Sequence, residues 1–176
     1  MFGKVCRFST DRLLVGEWHS LDCDAWKQLD LAVVVRDMLT ERVTHTLPTA
    51  WQGTYTLDRA RAWIEERDDE GMTLLAVEKV SRRPIGLIIL FESGSSTART
   101  DLRLGYLLAE SAWGKGLASE LIGGFVAWCG SNGVGSLAGG VEPENIASRR
   151  VLEKCGFVLD ATSESSEEQI FVLSLH

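Results

Sequence analysis

Apolar positions along this chain follow two rhythms, and each change of rhythm predicts a change of element. Arg12 to Trp18 (Arg-Leu-Leu-Val-Gly-Glu-Trp) predicts a first strand behind the turn-prone Ser9-Thr10-Asp11. From Asp24 to Leu39 the spacing is helical, with Trp26, Leu29 and Val33 on one row and Leu31, Val34, Val35 and Met38 on its neighbour. The β-branched run Val33-Val34-Val35 pulls toward a strand, and Asp30 marks a point where the helix would break. Thr44 to Thr54, with Pro48 and Gly53, predicts a loop, and Leu57 to Arg67 a helix with Leu57, Ala60, Trp63 and Ile64 on its apolar face. Thr73 to Lys79 starts a strand, Ser81-Arg82-Arg83-Pro84 turns the chain, and Ile85 to Phe91 is so continuously apolar that both of its faces should be buried. Ser93-Gly94-Ser95-Ser96 is the next turn, leading into Arg99 to Leu108.

The second half changes character. A short apolar strand, Leu104 to Leu108, is followed by the turn Trp113-Gly114-Lys115-Gly116 and a helical stripe from Leu117 to Cys129. A strand at Ser136 to Val141 comes next, then a helix start at Asn145, a stop at Gly156-Phe157, an acidic hairpin tip (Glu164 to Glu168) and a last strand, Ile170 to Leu175. A meander of strands followed by a strand–helix–strand unit predicts one α/β domain over residues 1–176: a mixed, mainly antiparallel central sheet with helices on both faces.

The strand–Gly turn–helix order is a way of aiming backbone N–H groups at a phosphate. Glycines on either side of Lys115 let the backbone curl into a concavity lined by N–H groups, and the helix that follows adds its unpaired first-turn amides and positive dipole end. The stretch reads as a diphosphate cradle; its bland alternative is a tight connection with Lys115 in solvent. Ser119 stands where a dinucleotide fingerprint wants its third Gly, which disfavours that class. Gly116 after Lys115, and Ala109 at the first-glycine position, exclude a P-loop.

Composition narrows the partners. A formal net charge of −7 argues against nucleic acid and suits an amine-bearing substrate. No apolar run approaches the roughly 20 residues of a membrane span. Cys6, Cys23, Cys129 and Cys155 form no paired motif, and the 3 histidines form no metal signature. The expectation is a cytoplasmic protein without a metal.

Trp113-Gly-Lys-Gly116-Leu-Ala118 resembles the Gln/Arg-x-x-Gly-x-Gly/Ala pattern of the GNAT superfamily of N-acetyltransferases, with Trp in the first position. That Trp, Gly105-Tyr106 in the preceding strand, and Asn145 with Ser148 ahead of Gly156-Phe157 are similar to the branch containing the ribosomal-protein N-terminal (alanine and serine) acetyltransferases. So is the opening Ser9-Thr-Asp-Arg-Leu-Leu14. The resemblance implies acetyl-CoA as co-substrate, with its diphosphate on Trp113, Gly114, Lys115, Gly116, Leu117, Ala118 and Ser119. It also implies that the strands Leu104–Leu108 and Ser136–Val141 splay after a bulge and that pantetheine amides pair with the backbone around Leu107 and Leu108. Gly105 would suit the bulge, or a close packing contact.

Asn145 is by spacing an N-cap; the resemblance adds a place beside the pantetheine arm. Ser148 begins the series 148, 151, 152, 155 and so should lie on the buried face of its helix, where its hydroxyl needs a partner. That partner is either the carbonyl of Glu144 or, as the resemblance implies, the CoA sulfur, with Ser148 protonating the leaving thiolate. An α-amine is about a tenth neutral at pH 7 and a Lys amine under about one in a thousand, so an α-amino acceptor asks less of a base. Asp101, with Glu92, Glu142 or a water relay as alternatives, is the candidate base; each carboxylate is otherwise a surface charge. Relatives carry an acid immediately before Leu104-Gly-Tyr106, where this chain has Arg103, and a glutamate in the last hairpin has no obvious equivalent. His45, Pro48 and Trp51 are candidates to wall the acceptor pocket, Trp51 equally a core anchor. The expected activity is acetyl transfer from acetyl-CoA to a primary amine, a protein N-terminus or a small molecule. The competing class is a non-catalytic CoA-binding or dimer-forming module on the same fold.

Overall fold

The structure, a computed structural model, describes residues 5–20, 29–95 and 99–176. Eight strands form one sheet in the order β1-β2-β3-β4-β5-β6-β8-β7: β1 (Arg7–Ser9), β2 (Leu13–Glu17), β3 (Met72–Glu78), β4 (Pro84–Ser95), β5 (Thr100–Leu108), β6 (Val134–Val141), β7 (Val158–Leu159) and β8 (Gln169–Ser174). The sheet is mainly antiparallel, and β5 with β6 is its parallel pair, as the strand–helix–strand pattern requires. The chain clusters into two compact units, Met1–Ile89 with Tyr106–Lys115 and Leu90–Gly105 with Gly116–His176.

In the first unit β2 lies antiparallel between β1 and β3, in registers such as Phe8↔Val15 and Val15↔Ala76. The helices here are α1 (Leu31–Met38), α2 (Glu41–Thr44) and α3 (Leu57–Glu70). Asp30 is where the helical pattern does start: its carboxylate accepts from the Ala32 amide at 2.9 Å and caps α1. The residues 24–28 of the expected longer helix lie outside the described residues. The valine run is helical because Ala32, Val35 and Met38 are buried on one face, and packing against α3 outweighs a propensity cost of a few tenths of a kcal/mol. The expected loop at Thr44–Thr54 contains a single 3₁₀ turn, Thr49–Trp51, and is held from α3 by the Arg59 guanidinium, which donates to the carbonyls of Gln52 and Thr54 at 2.8 Å. Trp51 packs edge-on to Trp63 at 5.5 Å, the core-anchor alternative, while His45 and Pro48 are exposed. β4 is buried from Ile85 to Leu90, in line with its unbroken apolar run.

In the second unit α4 (Leu117–Ser131) and α5 (Ile146–Lys154) pack on each other and on β6. The odd positions of β6 beyond the bulge, Leu137, Gly139 and Val141, are buried, and a Cβ at Gly139 would meet the Leu152 side chain of α5 at 3.3 Å. β8 runs antiparallel to β6 from Ser136↔Ser174 to Val141↔Gln169, with the exposed hairpin tip 164–168 ahead of it. The short β7, which the pattern did not reveal, closes the sheet edge beside β8.

Candidate active site

The parallel ladder stops before its strands do. β5 and β6 pair from Thr100↔Val134 to Leu104↔Gly139, yet β5 continues to Leu108 and β6 to Val141. The bulge is not at Gly105, as the sequence suggested. The register shifts between Thr100 and Asp101, making Gly135 the extra residue, where a Cβ would meet the Arg99 Cβ at 2.9 Å. Gly105 has nothing within 4 Å of an added Cβ, so it serves no close contact either.

After β5 the chain makes a 3₁₀ turn, Glu110–Ala112, and enters the glycine turn. Gly114 (φ 70°) and Gly116 (φ 74°) are both left-handed, a conformation that a side chain would strain. Gly116 is the N-cap of α4, contributes no side chain to the cap, and accepts from the Glu120 amide at 3.2 Å. Among the described residues the amides of residues 114–119 have no acceptor. Here they form a run of donors at the positive end of a helix 15 residues long. Lys115 is exposed, as the bland reading had it.

The approach to this turn is tied down in the first unit. The Trp113 indole Nε1 donates to the Leu108 carbonyl at 3.0 Å, and the Arg42 guanidinium lies 5.5 Å from the Trp113 ring centre. Arg42 and Thr40 both bond Glu110, at 3.0 Å and 2.5 Å. Trp in place of the usual Gln or Arg thus acts as a strut closing the segment Leu108–Trp113 on itself. It also occupies a lone pair of the Leu108 carbonyl.

Asn145 caps α5: its Oδ1 accepts from the Ser148 amide at 3.2 Å. The other end is closed by the Phe157 amide on the Leu152 carbonyl at 3.0 Å and the Gly156 amide on Glu153 at 3.1 Å, with Gly156 at φ 93°. Ser148 lies on the inner face with Val151, Leu152 and Cys155, but half-buried rather than buried. Its hydroxyl makes no hydrogen bond among the described residues, so the expected back-bond to the Glu144 carbonyl is not formed. Cys155 Sγ sits 3.6 Å from the Ser119 carbonyl, which ties the end of α5 to the first turn of α4.

The carboxylates fall in distinct places. Asp101 accepts from the Ser136 hydroxyl at 2.7 Å at the start of β5, about 10 Å along the strand from the last rung and about 23 Å from Leu108. Glu92 is exposed on β4; Glu142 is exposed just past β6, where its carbonyl accepts from the Asn145 amide at 2.9 Å. Sequence reasoning missed Glu168. Its side chain lies over Gly140, leaving no room there for a Cβ, and its carboxylate pairs with Arg103 at 2.7 Å. Arg103 immediately precedes the last rung and Gly140 immediately follows it, so the pair marks the place where the strands part. The available signal was Gly139-Gly140 inside a strand, which announces a close approach.

In the second unit the first turn of α4 thus presents amides without an acceptor among the described residues, α5 carries the Ser148 hydroxyl, and Glu168 lies over Gly140. An acetyltransferase (GNAT) domain model matches residues 20–158. The structure is similar to an acetyltransferase of the GNAT family from Bacillus anthracis (TM-score 0.72, 16% identity, covering 96% of this chain and 98% of that one). It is also similar to RimL, a ribosomal L7/L12 α-N-protein acetyltransferase in complex with coenzyme A (0.71, 13%, 98% of each chain). A third likeness is to a Salmonella typhimurium protein solved with its cofactor acetyl-CoA (0.62, 17%, 94% and 95%). No curated protein matches the chain. Since the family model takes in the cradle, the strand that parts from β5 and both helices around them, the chain belongs to the GNAT acetyltransferases and is an acyl-CoA-dependent N-acetyltransferase.

Proposed function

We propose that this enzyme binds acetyl-CoA at the glycine turn and passes the acetyl group directly to a primary amine, most readily a protein N-terminal α-amine. One observation carries the reading: the amides of residues 114–119, without an acceptor among the described residues and set at two left-handed glycines and the start of α4, match the needs of a diphosphate. Similar structures that hold CoA or acetyl-CoA support it, and RimL's acceptor supports the α-amine. The residues fit the ligand in kind. Trp113–Ser119 would take the diphosphate, the backbone of Leu107 and Leu108 the pantetheine arm, and Asn145 would hold the start of α5 beside it.

Transfer needs three things of the protein. Main-chain amides beyond the last rung polarise the thioester carbonyl. A carboxylate accepts the proton of the attacking amine; Glu168, though paired with Arg103, lies next to the last rung, whereas Asp101 is bonded to Ser136 at the start of β5. Ser148, whose hydroxyl is uncommitted, gives its proton to the departing thiolate as the new amide forms. Among the described residues Cys6, Cys129 and Cys155 are in no disulfide, which agrees with a reducing compartment such as the cytoplasm. The test is thiol release from acetyl-CoA with a panel of N-terminal peptides, amino acids and polyamines. Turnover with peptides bearing a free α-amine, and none with N-acetylated ones, is expected. CoA binding without turnover on any amine would favour a binding module instead.

A further inference from the structure

Arg12 lies 103 residues before Lys115 in sequence and is bonded to it: its Nη1 donates to the Lys115 carbonyl at 2.9 Å. The base of that side chain is fixed. It sits in the β1–β2 turn, which is closed by the Thr10 amide on the Leu13 carbonyl at 2.9 Å and by the Leu13 amide on Thr10 Oγ1 at 3.0 Å. The Lys79 amide, just past β3, holds the Arg12 carbonyl at 2.8 Å. The backbone beneath the guanidinium is thus fixed on both sides, and the exposed side chain reaches Lys115 from there.

The consequence follows from peptide geometry. The Lys115–Gly116 peptide is trans, as is every peptide bond among the described residues, and in a planar trans peptide the carbonyl of one residue and the N–H of the next point in opposite directions. Holding the Lys115 carbonyl toward Arg12 therefore turns the Gly116 N–H away from it. That orientation cannot be taken for granted, because Gly114 and Gly116 flank Lys115 and glycine crosses between left- and right-handed backbone more freely than any other residue. A glycine-bounded peptide needs an outside constraint if it is to be preorganised before the ligand arrives.

We propose that Arg12 is the positioning residue of the diphosphate cradle: by holding the Lys115 carbonyl it aims the Gly116 amide at the anion. This rests on the CoA reading above. Arg12 works here as a hydrogen-bond donor to the Lys115 carbonyl.

The test compares Arg12→Met, Arg12→Gln and Arg12→Lys by calorimetry with CoA and 3′-dephospho-CoA, and by steady-state kinetics with acetyl-CoA. Arg12→Met should weaken both ligands about tenfold, the size of one lost hydrogen bond, and raise KM for acetyl-CoA by the same factor with kcat unchanged. Arg12→Gln is too short to reach the Lys115 carbonyl from the same anchored base and should behave like Arg12→Met. Arg12→Lys keeps a donor of nearly the same reach and should stay within about threefold of the parent. An Arg12→Met enzyme with unchanged affinity and an unchanged melting temperature would overturn the proposal. Loss confined to CoA, with 3′-dephospho-CoA unaffected, would overturn it too, by placing Arg12 on the 3′-phosphate. A parent protein that binds neither ligand would refute the CoA reading, whereas parent binding with an indifferent Arg12→Met refutes only the role of Arg12.

Discussion

Arg103 and Glu168, 65 residues apart in sequence, form an ion pair of 2.7 Å where β5 and β6 part. Both side chains are about half exposed, so the pair contributes under about 1 kcal/mol to stability and its interest is positional. Glu168→Gln should lower kcat about a hundredfold while leaving the KM for acetyl-CoA and the melting temperature unchanged, as single-turnover thiol release would report. Gly140→Ala should act in the same direction, because a Cβ there displaces the Glu168 side chain.

Gly116→Val is expected to abolish measurable CoA binding, a loss of at least about a hundredfold by calorimetry. A β-branched residue at φ 74° is strained, and relieving the strain turns the first-turn amides of α4 away from the ligand.

Ser148→Ala separates chemistry from stability. The hydroxyl makes no hydrogen bond among the described residues, so thermal unfolding should be unchanged, while kcat falls about tenfold or more at constant CoA affinity. Equal loss of affinity and kcat would reassign Ser148 to ligand binding.

The neighbouring Asn145→Ala should do the reverse. Removing the carboxamide that accepts from the Ser148 amide costs about 1 kcal/mol of stability, visible as a lower urea midpoint.

Cys6 sets a limit at alkaline pH. It is fully buried, and burial pushes its thiol from 9.0 up to about 12. The unfolded chain therefore releases this proton at lower pH than the folded one. Stability should be intact below about pH 9 and fall as pH rises from there toward about 12, and Cys6→Ala should flatten that slope in urea titrations.

What was legible beforehand was what neighbours in the chain decide among themselves. The left-handed turn at Gly114 and Gly116, the Asn145 cap, the stop at Gly156-Phe157 and the doubly buried β4 each follow from φ preferences, capping chemistry or apolar continuity within a few residues. The motifs that run in order from Gly105-Tyr106 to Gly156-Phe157 carried the family for the same reason. The bulge was misplaced because a strand's register depends on its partner: the extra residue is Gly135 of β6, and only the approach of Arg99 shows why it is a glycine.

The amino-acid order by itself determined that a helix would begin on a glycine turn with its amides bare, since a positive φ and an uncapped first turn are local properties. Only the tertiary structure decided which residues far apart in the chain meet. Arg12 on Lys115, Glu168 over Gly140 and Asp101 spent on Ser136 join residues far apart in sequence, and no periodicity or propensity specifies which distant side chains a fold brings together.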